Sequence, residues 1–158
     1  ISSPVLFHLM QYAEHIEHQV VMLQKEVVER MAAKAGSKQF GRLSVMLQQR
    51  YQIENLFKVP PSAFFPPPKV DSAIARLTPL TNINHPVSSQ ADFEKVVKQA
   101  FSMRRKTLRN TLKGLLSSEQ IESLDINPSA RAETLEVSQF ASLSNLYSES
   151  SQNELNDA

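Results

Sequence analysis

"PSAFFPPPKVDSAIARL", Pro61 to Leu77, sets two phenylalanines against three consecutive prolines and runs directly into Lys69 and a strand-like segment. Each proline fixes its own backbone dihedral and pushes the residue before it toward extended geometry. Pro66, Pro67 and Pro68 therefore hold the adjacent rings with little entropy left to lose on binding. The stretch "YQIENLFKVP" before the loop and "VDSAIARL" after it read as partner strands. An aromatic ring held at a sheet edge can stack on a base extruded from nucleic acid, worth about 1 to 3 kcal/mol per base. The competing role for Phe64 and Phe65 is to cap a core while the prolines end a strand, since buried phenylalanine is commonly core.

Outward from this loop, "SSPVLFHLMQY" predicts a helix with Ser3 as its cap and Pro4 in the first turn, ending near Ala13. The four apolar residues Val20 to Leu23 predict a strand covered on both faces. "KEVVERMAAKAG" returns to helical spacing and stops at Gly36, and "GRLSVMLQQR" predicts a further short helix. Strands alternating with helices over residues 1–78 predict an α/β fold, the later half of a mostly parallel, doubly wound sheet with an antiparallel end. The half not seen would carry the central strands and the ligand crevice at their carboxyl ends.

Residues 79–90 lack periodicity and read as a linker. Beyond them residues 91–148 predict a small all-helical domain: Phe93 to Phe101, then Leu108 to Leu116, a third helix capped by Ser117 or Ser118, and a fourth through Val137, Phe140, Leu143 and Tyr147. Residues 149–158 read as a polar, frayed tail.

With 158 residues, 41% of them apolar, the chain can bury one moderate core or two small ones. The absence of Cys excludes disulfides, thiolate catalysis and Cys-ligated zinc, and fits a reducing compartment. With no run of 18 apolar residues and no signal peptide, a soluble, cytoplasmic protein without a membrane partner is expected. The only glycines, Gly36, Gly41 and Gly114, leave no glycine-rich phosphate loop. His8, His15, His18 and His85 lack partners at metal-ligand spacing, so no metal site is expected, and no nucleophile elbow supports acyl transfer.

Charge is uneven: residues 1–113 hold 16 Lys and Arg against 8 Asp and Glu, while residues 114–158 hold 1 against 8. The basic part can face a polyanion. Its candidates are Arg104, Arg105, Lys106 and Arg109, with 105 and 109 expected on one helix face and Asn110 beside them to cap or to contact sugar. Lys25 and Arg42, ahead of two helices, would extend that surface, and Lys69 could meet a phosphate. The alternative for the arginines is a solvated helix start or pairing with the acidic tail. Arg131 and Glu133 are expected to tie helices together.

Several ordered motifs resemble the ribosomal RNA adenine dimethyltransferase family. Phe64-x-Pro66-x-Pro68-Lys69-Val70-Asp71-Ser72 resembles a motif late in its catalytic domain, and Ile1-Ser2-Ser3-Pro4 the continuation of its Asn-Leu/Ile-Pro-Tyr-Asn-Ile-Ser-Ser-Pro motif. "MLQKEV" and "FGRLSV" stand in the expected order between them, and "AFSMRRKTLRNTL" and "NPSARAETL" resemble elements of its helical domain. The resemblance covers Ile1 to about Tyr147. It implies a Rossmann-like methyltransferase domain, S-adenosylmethionine as cofactor, and dimethylation of two adjacent adenines near the 3′ end of small-subunit (16S) RNA, with a role in ribosome assembly. It places the cofactor-binding residues and the Asn-x-Pro-Tyr motif upstream of Ile1, so this chain alone is expected to be inactive. It also makes Phe64 the ring that stacks on the target adenine, with Phe65 second to it.

Two other readings stand beside this one: a noncatalytic RNA-binding module in ribosome assembly, and a related methyltransferase acting on large-subunit RNA. The complete enzyme is expected to be a monomer, whereas an exposed strand edge would let this piece self-associate.

Overall fold

A computed structural model of the chain describes residues 2–158; Ile1, which opens the first motif, lies outside them. Helix α1, Ser2–Met10, starts just ahead of the expected cap Ser3, and a short 3-10 turn at Ala13–His15 follows it. Strand β1 is Gln19–Gln24, helix α2 Lys25–Met31 and helix α3 Arg42–Gln48. The hairpin that decides the fold is β2, Tyr51–Val59, and β3, Ser72–Pro79.

The sheet order is β1-β3-β2, and both ladders are antiparallel. β1 and β2 do run in the same direction, but β3 stands between them, so the strands present make up the antiparallel end alone. Gln24 at the end of β1 and Val59 at the end of β2 both register with Ser72, which brings the two carboxyl ends to one edge of the sheet.

β1 is not covered on both faces. Val21 and Leu23 pack toward Leu47, Tyr51, Ala73, Ala75 and Leu77, whereas Val20 and Met22 are 57% and 48% exposed. A strand alternates its side chains, and no described element packs on that second face. Cross-strand partners extend the same face, with Val20 opposite Arg76, Met22 opposite Ile74 and Phe57 also opposite Ile74. Phe57, beside an irregularity in the β2 register, is 59% exposed.

Residues 80–89 carry no helix or strand. Helix α4, Gln90–Ala100, is capped by Ser89 Oγ, which accepts from the Asp92 N–H at 3.1 Å. Its Phe93, Val96, Val97 and Ala100 face a second core with α5, Leu108–Thr111, α6, Ser118–Glu122, and α7, Val137–Asn156. Phe40, Val45 and Met46 from the first part of the chain join that core, so α3 packs on both sides. The stretch read as a frayed tail is the end of α7, helical through Asn156. No helix among the described residues is long and apolar enough to cross a membrane.

The expected helix through Arg104, Arg105 and Lys106 is replaced by a turn over residues 101–107. In a continuous helix the N–H groups of Leu108 and Arg109 would bond to the carbonyls of residues 104 and 105. Here they donate instead to Ala130 O and Pro128 O, each at 2.9 Å, so the chain after Pro128 takes the donors that helix needs.

Candidate nucleic-acid interface

The Phe/Pro loop sits where the carboxyl ends of β1 and β2 meet. From Pro60 the chain makes one 3-10 turn, Pro61–Ala63, closed by the Phe64 N–H donating to Pro61 O at 3.1 Å. Phe64 itself is extended, with φ −121° and ψ 154°. At its far end the loop is fastened by the Lys25 N–H, which donates to Asp71 O at 2.9 Å, and by Lys58 Nζ at 3.9 Å from Asp71 Oδ2. Thus the start of α2 and the end of the loop are fixed to one another.

Neither ring of the loop belongs to a core cluster among the described residues. Phe65 is 100% exposed, while Phe64 is half-buried. Core capping therefore does not account for Phe65, and of the two rings it is the one presented fully to solvent.

The cations group differently from their order in the sequence. Lys25 and Lys69 meet at a cleft of about 400 Å³ beside Gln24, Pro61 and Val70, at the carboxyl edge of the sheet. Arg42 and Arg104 meet at a second cleft of about 530 Å³, to which the structure adds Arg30 and Lys38. Glu26 and Glu29 of α2 line both clefts, making that helix a shared wall. Arg109 lies in a third groove of about 540 Å³ with Asn110 and Lys113. Arg105 and Lys106 are exposed and line none of these.

Their electrostatic partners separate free charge from spent charge. Arg42 donates to Glu94 Oε1 at 2.9 Å, joining α3 to α4, and Lys25 lies 3.6 Å from Glu29. Arg104 Nη2 donates to the Lys38 carbonyl at 2.7 Å. Among the described residues no ion pair ties a cation to residues 149–158, so the alternative of pairing with the tail finds no partner there. Glu133 makes a tie through the backbone, its O accepting from the Gly36 N–H at 2.7 Å, whereas Arg131 O accepts locally, from the Thr134 N–H at 3.0 Å and Thr134 Oγ1 at 2.7 Å.

Two polar pairs brace the sheet. Arg76 donates from Nε to Glu54 Oε2 at 2.8 Å and from Nη2 to Glu54 Oε1 at 3.2 Å, and these bonds hold the carboxyl below the usual carboxylate range against slight desolvation. Gln19 Nε2 donates to the Tyr51 hydroxyl at 3.1 Å. Burial raises the Tyr51 pKa, with that hydrogen bond and the Arg50 charge opposing the shift.

Lys38 and Arg30 escaped the sequence reading. Lys38 lies in "AGSKQFG", where no periodicity marks a face, and only the fold brings it beside Arg104.

Residues 1–149 match the profile of a family described as ribosomal RNA adenine dimethylase. The chain is 56% identical over 147 residues to a ribosomal RNA small subunit methyltransferase A of Hydrogenovibrio crunogenus, covering 93% of this chain and 55% of that protein. With the protein of the same description from Pseudomonas aeruginosa it shares 52% identity over 149 residues, covering 94% and 56%. The chain thus spans about 55% of the length of these curated relatives. Among solved structures, a dimethyladenosine transferase from Plasmodium falciparum superposes with a TM-score of 0.79 at 26% identity, covering 90% of this chain and 61% of that one. The 23S rRNA methyltransferase ErmE superposes at 0.67 and 22% identity, covering 94% and 61%, a likeness of fold.

Proposed function

The chain belongs to the ribosomal RNA adenine dimethylase family, and from that premise we propose that it is the RNA-facing part of an S-adenosylmethionine-dependent enzyme. That enzyme places two methyl groups on each of two adjacent adenines near the 3′ end of small-subunit RNA in the cytoplasm. The observation that carries the reading is the loop at Phe64 and Phe65. It stands at the carboxyl edge of β1 and β2, where open α/β sheets bind their ligands, and it holds one ring fully in solvent beside the Lys25–Lys69 cleft.

The residues present do not form a site for S-adenosylmethionine. The cleft at this edge is lined by Gln24, Lys25, Glu26 and Lys69, with no glycine turn facing it. We therefore assign the cofactor to residues outside this chain. The contribution of this chain is positioning. An adenine amine needs orientation more than it needs a strong base, so a ring stacked on the extruded base holds the reacting nitrogen in line. Phe64 carries the family motif and is assigned that stacking role, while Phe65 guides the strand from outside. Lys25 and Lys69 then meet the flanking phosphates, and Arg42, Arg104, Arg105, Lys106 and Arg109 grip the RNA through its backbone and shape.

Variants in the complete reading frame test the assignment. Phe64→Ala is expected to lower methylation roughly tenfold to a hundredfold at unchanged S-adenosylmethionine affinity, the size expected for one lost stack. Phe65→Ala is expected to lower it less. A larger loss at Phe65 would move the stacking role to that ring.

A further inference from the structure

Residues 60–71 cross from β2 to β3 with few bonds of their own. At the near end the Ala63 and Phe64 N–H groups donate to Pro60 O and Pro61 O, each at 3.1 Å. Beyond them Pro66, Pro67 and Pro68 have no N–H to give, and residues 65–70 make no backbone hydrogen bond among the described residues. The far end is held where Asp71 O accepts from the Lys25 N–H at 2.9 Å. Lys25 and Asp71 are the pair that follows Gln24 and Ser72 in the β1–β3 register, but the reciprocal bond of a ladder, from the Asp71 N–H to Lys25 O, is not made. Lys58 Nζ stands 3.9 Å from Asp71 Oδ2 with its side chain 57% exposed, a contact that solvent leaves weak. One backbone bond therefore fixes the far end of the loop to α2.

The donor is free for this because it is the first N–H of α2, which has no partner within its own helix. α2 in turn is held on the sheet by Val28 and Met31, both fully buried, so its start is a fixed point from which the loop can be placed. We infer that the Lys25 N–H is a positioning group: through Asp71 O it sets where the Phe64 ring stands, and so how squarely that ring meets the extruded adenine. This role rests on the stacking reading above and adds to it the bond that orients the ring. Orientation governs the rate of such a transfer, since a misplaced amine reacts more slowly even where the RNA is bound as tightly.

The test compares Lys25→Pro with Lys25→Ala in the product of the complete reading frame. Both remove the side-chain charge and any phosphate contact it makes, and only Lys25→Pro also removes the N–H. Proline suits the first position of a helix, and Gln24 before it, at φ −57° and ψ 139°, already has the extended backbone that a following proline requires. In methyl transfer to unmethylated small ribosomal subunits the two variants are expected to share one KM. The kcat of Lys25→Pro should fall roughly twofold to tenfold below that of Lys25→Ala, the factor that one net hydrogen bond spans. In a Phe64→Ala background that difference in kcat should vanish, because the ring to be placed is gone. Equal kcat in the two variants, with Phe64→Ala still impaired, overturns the positioning role and leaves the stacking reading standing. A kcat difference that survives Phe64→Ala also overturns it, since the bond then acts through something other than this ring. No loss of transfer in Phe64→Ala overturns stacking and positioning together. Hydrogen exchange at the Lys25 amide of the unsubstituted protein reads the same bond without a proline, and decides the matter where Lys25→Pro does not fold. Exchange is expected to be slow, and to slow further when an RNA hairpin bearing the two adenines is bound. Exchange at the rate of an open amide, or unchanged by the bound hairpin, overturns the role.

Discussion

The core around Phe93, Leu112 and Phe140 draws side chains from α3, α4, α5, α6 and α7, whereas the core around Leu47, Tyr51 and Leu77 fills one face of a three-stranded sheet. Val20, Met22 and Phe57 remain exposed on the other face. The two regions differ in what packs on them. Helices in the second region turn their apolar stripes toward each other, while the sheet offers two faces and the described residues cover one. The open face is consistent with the proposal that residues outside this chain complete the sheet and carry the cofactor.

The contrast should appear first as unequal costs of truncation. Phe140 is fully buried and stacks on Phe101 with ring centroids 5.4 Å apart, so Phe140→Ala is expected to destabilise by about 3 to 5 kcal/mol in denaturant unfolding. Met22→Ser on the open face is expected to change stability by less than about 0.5 kcal/mol. A comparable loss at Met22 would mean that the second face is covered after all.

Tyr51→Phe comes next. It leaves the buried Gln19 Nε2 without its acceptor, where Gln19 Oε1 already lacks a donor, and is expected to cost about 1 to 3 kcal/mol by the same measurement. Burial holds the Tyr51 hydroxyl protonated above its ordinary range. Its contribution is therefore fully present below the ordinary tyrosine pKa and is lost as pH rises through the folded-state value. Unfolding curves of Tyr51→Phe should lose that alkaline dependence.

The smallest effect belongs to Glu54→Gln. Its carboxyl is held low by Arg76, so the pair contributes above the ordinary carboxylate range and is lost as pH falls through the lowered value. Both side chains are largely solvated, and high salt should erase the difference between Glu54→Gln and the parent. A difference that persists in high salt would show the open face to be less wet than its exposure implies.

Much of this organisation was legible from residue spacing. The β2–β3 hairpin around the Phe/Pro loop follows from two strand-like runs and a proline-rich connection, and α4 follows from Ser89 and its apolar stripe. The turn at Arg104–Lys106 was not legible, because the bonds that replace its helix come from Ala130 and Pro128, twenty or more residues away. The half-covered β1 was missed for a related reason, since an apolar run reports what a strand can bury and says nothing of which elements are there to bury it. At the candidate interface the cationic residue types were visible, but their grouping into separate clefts depended on the fold. Lys38 carried no signal of its own.

The central claim is that this chain handles RNA while methyl transfer needs residues outside it. The direct measurement is transfer of labelled methyl from S-adenosylmethionine to unmethylated small ribosomal subunits, by this chain and by the product of the whole reading frame in which it occurs. The account predicts transfer by the longer product and none by this chain, with RNA binding retained by both. Transfer by this chain alone, or by neither protein, would contradict it.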